Sequence, residues 1–186
     1  MAVAARRDTR MRVAEYRDWA AARPDDERWE LIEGVPLLMS PATGRHQRIV
    51  MNIAKRLDDL AERRGCGAYP GLAILSEAMD DYAPIPDVVV QCGEPPKDGY
   101  TGDPLLVVEV LSPSTLVLDR GRKTEFYQSV PSLAVLLLVQ PDEARVEVWR
   151  RAPDWTVEVA GPGAVIDLPE LGGMLSVAEI HARLSF

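Results

Sequence analysis

The sequence predicts an α+β fold, a mixed β-sheet flanked by α-helices, and three stretches carry that prediction. Residues 105–111, LLVVEVL, are apolar at every position except Glu109. Such a run reads as a strand covered on both faces, central in a mixed or parallel sheet. Residues 85–92, IPDVVVQC, repeat the pattern, with the acid Asp87 ahead of a run of valines. Residues 43–64 give the clearest helix. His46, Ile49, Val50, Ile53, Leu57, Leu60 and Ala61 form one apolar stripe, Arg and Asp occupy the opposite face, and Gly65 is placed to stop it.

In chain order, residues 12–22 carry Val13, Tyr16, Trp19 and Ala20 at helical spacing, a short amphipathic helix ended by Pro24. Residues 29–40 read as two strands around Glu33-Gly34, a hairpin in which Glu30 and Ile32 point one way and Trp29, Leu31 and Glu33 the other. After the long helix, residues 68–75 read as one strand and 76–84 as an acidic turn. Ser112-Pro113-Ser114-Thr115 supplies a turn, Asp119 is placed to cap a helix running to about residue 129, and Lys123 and Tyr127 share its face. Residues 134–139 form a second all-apolar strand, followed by an antiparallel meander over 145–150 and 155–160, and 175–184 read as a closing helix.

With 186 residues, the chain suits one domain spanning 1–186, and its 47% apolar and 27% charged residues are ordinary for a globular protein. The cysteines, Cys66 and Cys92, stand in no CxxC spacing and no Cys/His cluster, which argues against zinc and leaves a disulfide unsupported. No apolar run reaches membrane-span length, and the arginines of 1–12 lead into no apolar segment, so no membrane association and a cytoplasmic location are expected. The net charge of −8 fits poorly with a long duplex track, which calls for a basic face.

Two acids stand out. Glu109 alternates onto the face of Leu105, Val107 and Leu111, where an ionised carboxylate loses hydration and needs a partner. The bland alternative is a glutamate at the strand exit, near Ser112-Pro113. Asp87 would lie on a neighbouring strand, across the polar connection 93–104. Two carboxylates brought together there repel, and a divalent cation with oxygen ligands relieves that repulsion. A Ser/His/Asp hydrolase reading of Ser112 fails for want of a nucleophile-elbow glycine pattern and a paired histidine.

Pro86-Asp87, Glu109-Val110, Ser112-Pro113-Ser114-Thr115, Lys123 and Tyr127 together resemble the Uma-two family of restriction-endonuclease-like proteins, within the PD-(D/E)XK nuclease superfamily. The resemblance runs from the first helix to the last strands. It implies a restriction-endonuclease-like sheet, with Mg2+ or Mn2+ held by Asp87, Glu109 and the Val110 carbonyl, and DNA as substrate. A homodimer is expected as well, since cutting both strands of a duplex needs two active sites. The superfamily's usual lysine position, two residues after the strand acid, is Leu111 here, and the Uma-two pattern moves the lysine to the following helix, at Lys123. The family's first acid falls on Glu30 and its histidine on His46, which with Tyr127 are expected to support the site. The bland readings are a surface lysine, a solvated strand acid and a packing histidine. The expected function is a metal-dependent DNA endonuclease. The alternative is a catalytically weak nuclease-fold protein that acts as an oligomeric binding or regulatory module.

Overall fold

The computed structural model describes residues 10–112 and 119–186. Its centre is a six-stranded mixed sheet in the order β10-β9-β8-β7-β5-β3. The strands are β3 (Cys66–Pro70), β5 (Val88–Cys92), β7 (Pro104–Val110), β8 (Val135–Val139), β9 (Val146–Arg150) and β10 (Thr156–Ala160). Within this sheet only the β7–β8 pair is parallel; the crossover between them contains the segment that carries Lys123. β7 and β8 sit in the middle and are buried on both faces, which is why they read as unbroken apolar runs.

Each face has its own core. On one side lies α2 (Gly44–Ala61), whose Ile49, Ile53 and Leu57 pack on Val88, Val108 and Val135, with α4 (Val177–Ile180) alongside. On the other side α3 (Thr124–Ser129) lays Phe126 and Tyr127 on Val89, Val107 and Leu136. α1 (Val13–Ala21) packs Tyr16 against Leu31 and Ala83 in a smaller third cluster. The predicted stripe of the long helix is seen as read. Thr43 caps its start by accepting from the His46 amide, a 3-10 turn continues it over Glu62–Arg64, and Gly65 at φ +68° ends it.

The predicted hairpin forms as β1 (Trp29–Ile32) and β2 (Val35–Leu38). Glu33 and Gly34 both take positive φ, 51° and 75°, as a two-residue loop between right-twisted strands requires. The bridge between Leu31 and Ala83 ties the hairpin to the turn before β5, and this holds Glu30 over the second face of the sheet.

Several expectations need correction. The single strand expected over 68–75 is two: β3 ends at Pro70, Gly71 turns the chain at φ +67°, and β4 (Ala73–Ile74) pairs in parallel with β6 (Tyr100–Thr101). The closing helix expected over 175–184 is shorter: residues 175 and 176 end β12 (Gly173–Ser176), which pairs with β11 (Val165–Leu168), and only Val177–Ile180 is α-helical. Leu175 therefore enters the core from a strand. Leu105 packs with the α2 face rather than with Val107 and Glu109, because a bulge opposite Val90 and Gln91 shifts the β5–β7 register there. Cys66 and Cys92, whose pairing the sequence leaves unsupported, face each other across β3 and β5 and form a disulfide. The turn expected at 113–115 lies outside the described residues, as does the side chain of Asp119. No helix among the described residues is long and apolar enough to cross a membrane.

The short α4 depends on its cap. Ser176 accepts from the Glu179 amide, and the Glu179 carboxylate accepts from the Ser176 amide and hydroxyl. These bonds, with a smaller contribution from Arg56, hold the Glu179 carboxyl below its ordinary value of 4.5 against the opposing effect of burial. The folded state binds this proton more weakly than the unfolded chain, so the stabilisation is complete above pH 4.5 and disappears as pH falls through the lowered folded value. Glu179→Gln should therefore be less stable than the parent near neutrality. In urea titrations the gap should close on acidification.

Candidate active site

Glu109 lies in the last turn of the pleat of β7 and is only 4% exposed. Its neighbours on the same strand face are Val107 and Leu111, so no polar partner comes from β7 itself. The partners come from the segment that follows. Lys123 Nζ lies 3.3 Å from Glu109 Oε1, and the Tyr127 hydroxyl donates to the same oxygen at 2.6 Å. Lys123 Nζ also reaches Glu30 Oε2 at 2.9 Å, and both side chains are buried. Glu30 Oε2 in turn accepts from the Ile85 amide at 3.4 Å. One ammonium thus joins a carboxylate from the central sheet to one from the hairpin.

The backbone that presents Lys123 is not a regular α-helix from the start. Asp119–Lys123 forms a π-helical turn, and α3 begins at Thr124. The arrangement sends consecutive side chains to one hairpin: Arg122 pairs with Glu33 at its turn, and Lys123 with Glu30 in its first strand. Phe126 stacks on Tyr82 with ring centres 5.3 Å apart, fixing α3 against the same region.

Asp87 sits immediately before β5. The register Val88 to Val108 carried on by one residue sets Asp87 opposite Glu109. Its Oδ2 accepts from the Val110 amide at 2.7 Å and lies 3.3 Å from His46 Nε2 at the start of α2. The Asp87 carbonyl accepts from the Gly71 amide. Thus Glu109, Lys123, Glu30 and Tyr127 form one connected group, while Asp87, His46 and Val110 form a second at the adjoining ends of β5 and β7.

A cation would find a suitable donor set here. Asp87, Glu109 and the Val110 carbonyl are all hard oxygen donors, the type Mg2+ and Mn2+ prefer. Asp87 Oδ1 makes no hydrogen bond among the described residues, since both of its contacts use Oδ2. No group of three or more His, Cys, Asp and Glu residues among the described ones is placed to hold a metal ion by itself.

Two features escaped the reading of the sequence. Glu147 on β9 is 6% exposed and stands in the same cross-strand row as Glu109, through Leu138. Its signal was present: VEVW places an acid among β-branched residues, as VVEV does around Glu109. The pairing of Arg122 with Glu33 left no comparable trace, because neither residue lies in an apolar run. His181, which had no expected role, is buried with its ring nitrogens 3.0 Å from the carbonyl oxygens of Val177 and Gln140.

Comparison with known proteins gives consistent relatives. Residues 13–178 match the family model described as "Uma2: Putative restriction endonuclease". The "uncharacterized protein slr1290" of Synechocystis sp. (strain ATCC 27184 / PCC 6803 / Kazusa) is 34% identical over 179 residues, which cover 92% of each chain. The "uncharacterized protein sll1609" of the same organism is 28% identical over 149 residues, covering 76% of this chain and 84% of that one. Among solved structures, a putative nuclease belonging to DUF820 from Anabaena variabilis ATCC 29413 superposes with a TM-score of 0.75. It covers 92% of this chain and 98% of its own at 19% identity, a likeness of fold.

The ion-pair group makes a direct prediction. Lys123→Met leaves two buried carboxylates without their shared ammonium, and breaking a buried pair in this way costs about 3–5 kcal/mol. Adding Glu30→Gln should recover part of that loss, since one buried charge is then gone. Denaturant midpoints of the two single variants and the double give the coupling. A double variant no more stable than Lys123→Met would show that Glu30 and Lys123 are not linked.

Proposed function

The chain belongs to the Uma2 family, and from that premise we propose that it is a metal-dependent endonuclease that hydrolyses phosphodiester bonds in DNA. The observation that carries the reading is the convergence of Lys123 on Glu109 and Glu30, 3.3 and 2.9 Å away, beside Asp87 on the adjoining strand. A lysine buried among apolar residues has lost its hydration. Its placement between two carboxylates suits a site that handles phosphate and water.

In this reading Asp87, Glu109 and the Val110 carbonyl hold Mg2+ or Mn2+. When bound, the ion makes a water more acidic and stabilises charge developing on the phosphate. The chain's own groups do the rest. His46 and the Val110 amide orient the Asp87 carboxylate through its Oδ2, so that Oδ1 would be the oxygen offered to a cation. Tyr127 fixes the Glu109 rotamer through the bond to Oε1. Lys123 holds a phosphate oxygen or orients the attacking water, and Glu30 holds the ammonium in place. Leu111, at the superfamily's usual lysine position, is 1% exposed and packed with Phe126 and Tyr127. A lysine there would lack room, which accounts for its supply from the following segment.

Supercoiled plasmid incubated with the purified protein and Mn2+ should be cut, and Asp87→Ala should abolish cutting. Calorimetric titration should show Mn2+ binding by the parent and a large loss in Asp87→Ala. A parent protein that binds Mn2+ yet leaves plasmid intact would overturn the endonuclease reading.

Lys123→Ala, once shown to be folded, should retain Mn2+ binding and turn over about 10²-fold more slowly, as expected for a positioned catalytic group. Undiminished cleavage by that variant would remove Lys123 from the chemistry. We also propose a homodimer, because a single site cuts one strand. Sedimentation should give a two-chain species and the plasmid should be linearised. A single-chain species that only nicks would count against the dimer.

A further inference from the structure

A cleft of about 800 Å3 opens beside β1, among α1, the chain leading into β1 and the turns at Gly71 and Gly99. Trp29 lines it, while Glu30, next along the strand, faces away by alternation. The cleft is nonetheless adjacent to the candidate site. Ile85 lines it and donates its amide to Glu30, and Gly71 lines it and donates its amide to the Asp87 carbonyl.

Arg28 is the unusual group in this cleft. Its Nη2 donates to the Gly71 carbonyl at 3.2 Å, and the guanidinium lies so close over Gly71 that a Cβ there would fall 2.2 Å from Nη2. Only glycine permits that seat, and at φ +67° only glycine adopts the turn comfortably. Arg28 is exposed and has no carboxylate partner among the described residues. Its remaining N–H groups are therefore available to an anion.

The other two arginines of the cleft are held differently. Arg17 pairs with Asp98 at 2.6 Å and lies over the Tyr100 ring, and Arg23 lies over Trp19. Asp18, Asp25 and Glu27 line the cleft as well, so the cleft is not uniformly positive and would not hold a run of phosphates. It offers one fork-shaped cation beside the aromatic walls of Trp29 and Tyr100, with carboxylates able to accept from amino groups. Arginine beside an aromatic surface is how sequence-tolerant single-strand sites take a base and its phosphate.

We propose that this cleft binds one unpaired nucleotide of a nucleic-acid strand, its phosphate on Arg28 and its base against Trp29 and Tyr100. The proposal takes from the endonuclease reading only the identity of that strand as the substrate, and it extends that reading by adding a strand-holding subsite next to Asp87. A single phosphate contact also fits a chain whose net charge is −8.

The test is fluorescence anisotropy with a short labelled single-stranded oligonucleotide in EDTA, over a series of NaCl concentrations. Arg28→Ala should weaken binding about 10-fold, the loss of a charge-assisted contact. It should also reduce the slope of log K against log salt by about 0.7, the value for one phosphate contact on a single strand. A merely structural role would not change that slope. Arg63→Ala, an exposed arginine outside the cleft, should leave affinity and slope as they are.

Three results would overturn the subsite: no binding by the parent, an unchanged slope in Arg28→Ala, or equal displacement of the oligonucleotide by its duplex. The plasmid assay separates this proposal from the nuclease reading. Arg28-dependent binding by a protein that never cuts would retain the cleft and remove the endonuclease. Cutting with Arg28-independent binding would do the reverse.

Discussion

The structure turns on one carboxylate placed where the sheet cannot satisfy it. Glu109 stands in a strand paired on both sides and covered on both faces, 4% exposed, with only Val107 and Leu111 beside it on its own strand. Its partners must arrive from outside the sheet, and they do so one helical turn apart, as Lys123 and Tyr127. Lys123, buried in its turn, requires a second carboxylate, which the hairpin supplies as Glu30. The position of α3 and the hairpin over this face therefore follows from the demand made by Glu109. A buried network of this kind is not a cheap source of stability, because desolvation offsets most of the attraction. A valine at position 109 would pack as well, so the acid is better explained by use than by folding.

The π-helical turn at Asp119–Lys123 belongs to the same constraint. Arg122 and Lys123 are consecutive in this turn, and their long side chains reach one hairpin at two places, Glu33 at its tip and Glu30 three residues earlier. Local departures of this kind occur where a helix must aim a side chain rather than simply pack. Thus an irregularity in the helix, a two-residue hairpin loop and an acid in a core strand are three parts of one arrangement.

Much of this was legible in the sequence, and the divide has a physical basis. Glu109 and Asp87 announced themselves because an acid inside a run of valines contradicts the surrounding hydrophobic pattern. The long helix and both apolar strands were readable for the same reason, since burial writes periodicity. Glu147 sends the same signal and was passed over because the alternation around it suits an exposed meander equally well. The closing helix was begun at residue 175 because Leu175, Val177 and Ile180 also suit a helical spacing, and only the pairing of 173–176 with Val165–Leu168 moves that start to Val177. The cross-strand disulfide depends on register, Cys66 opposite Cys92, which no local pattern carries. The face taken by Leu105 depends on a bulge in its own strand, where two residues of β7 stand against one of β5. What was illegible, in each case, is a property of two segments at once.

The overall charge of −8 looks unfavourable for a protein meeting a polyanion, yet the relevant scale is short. At physiological ionic strength, exposed charges act over a Debye length of about 8 Å. Carboxylates on the far side of the sheet are screened at the candidate site. What matters is the local set, and its cations are held in two distinct ways. Lys123 is buried and fixed between two acids, so its field is weakly screened and directed at one point. Arg28 is exposed and rests on a glycine carbonyl, so its charge remains available to the solvent side. On the proposed nuclease reading, that arrangement would hold one phosphate without attracting long stretches of nucleic acid, and the acidic balance of the chain would limit unselective binding.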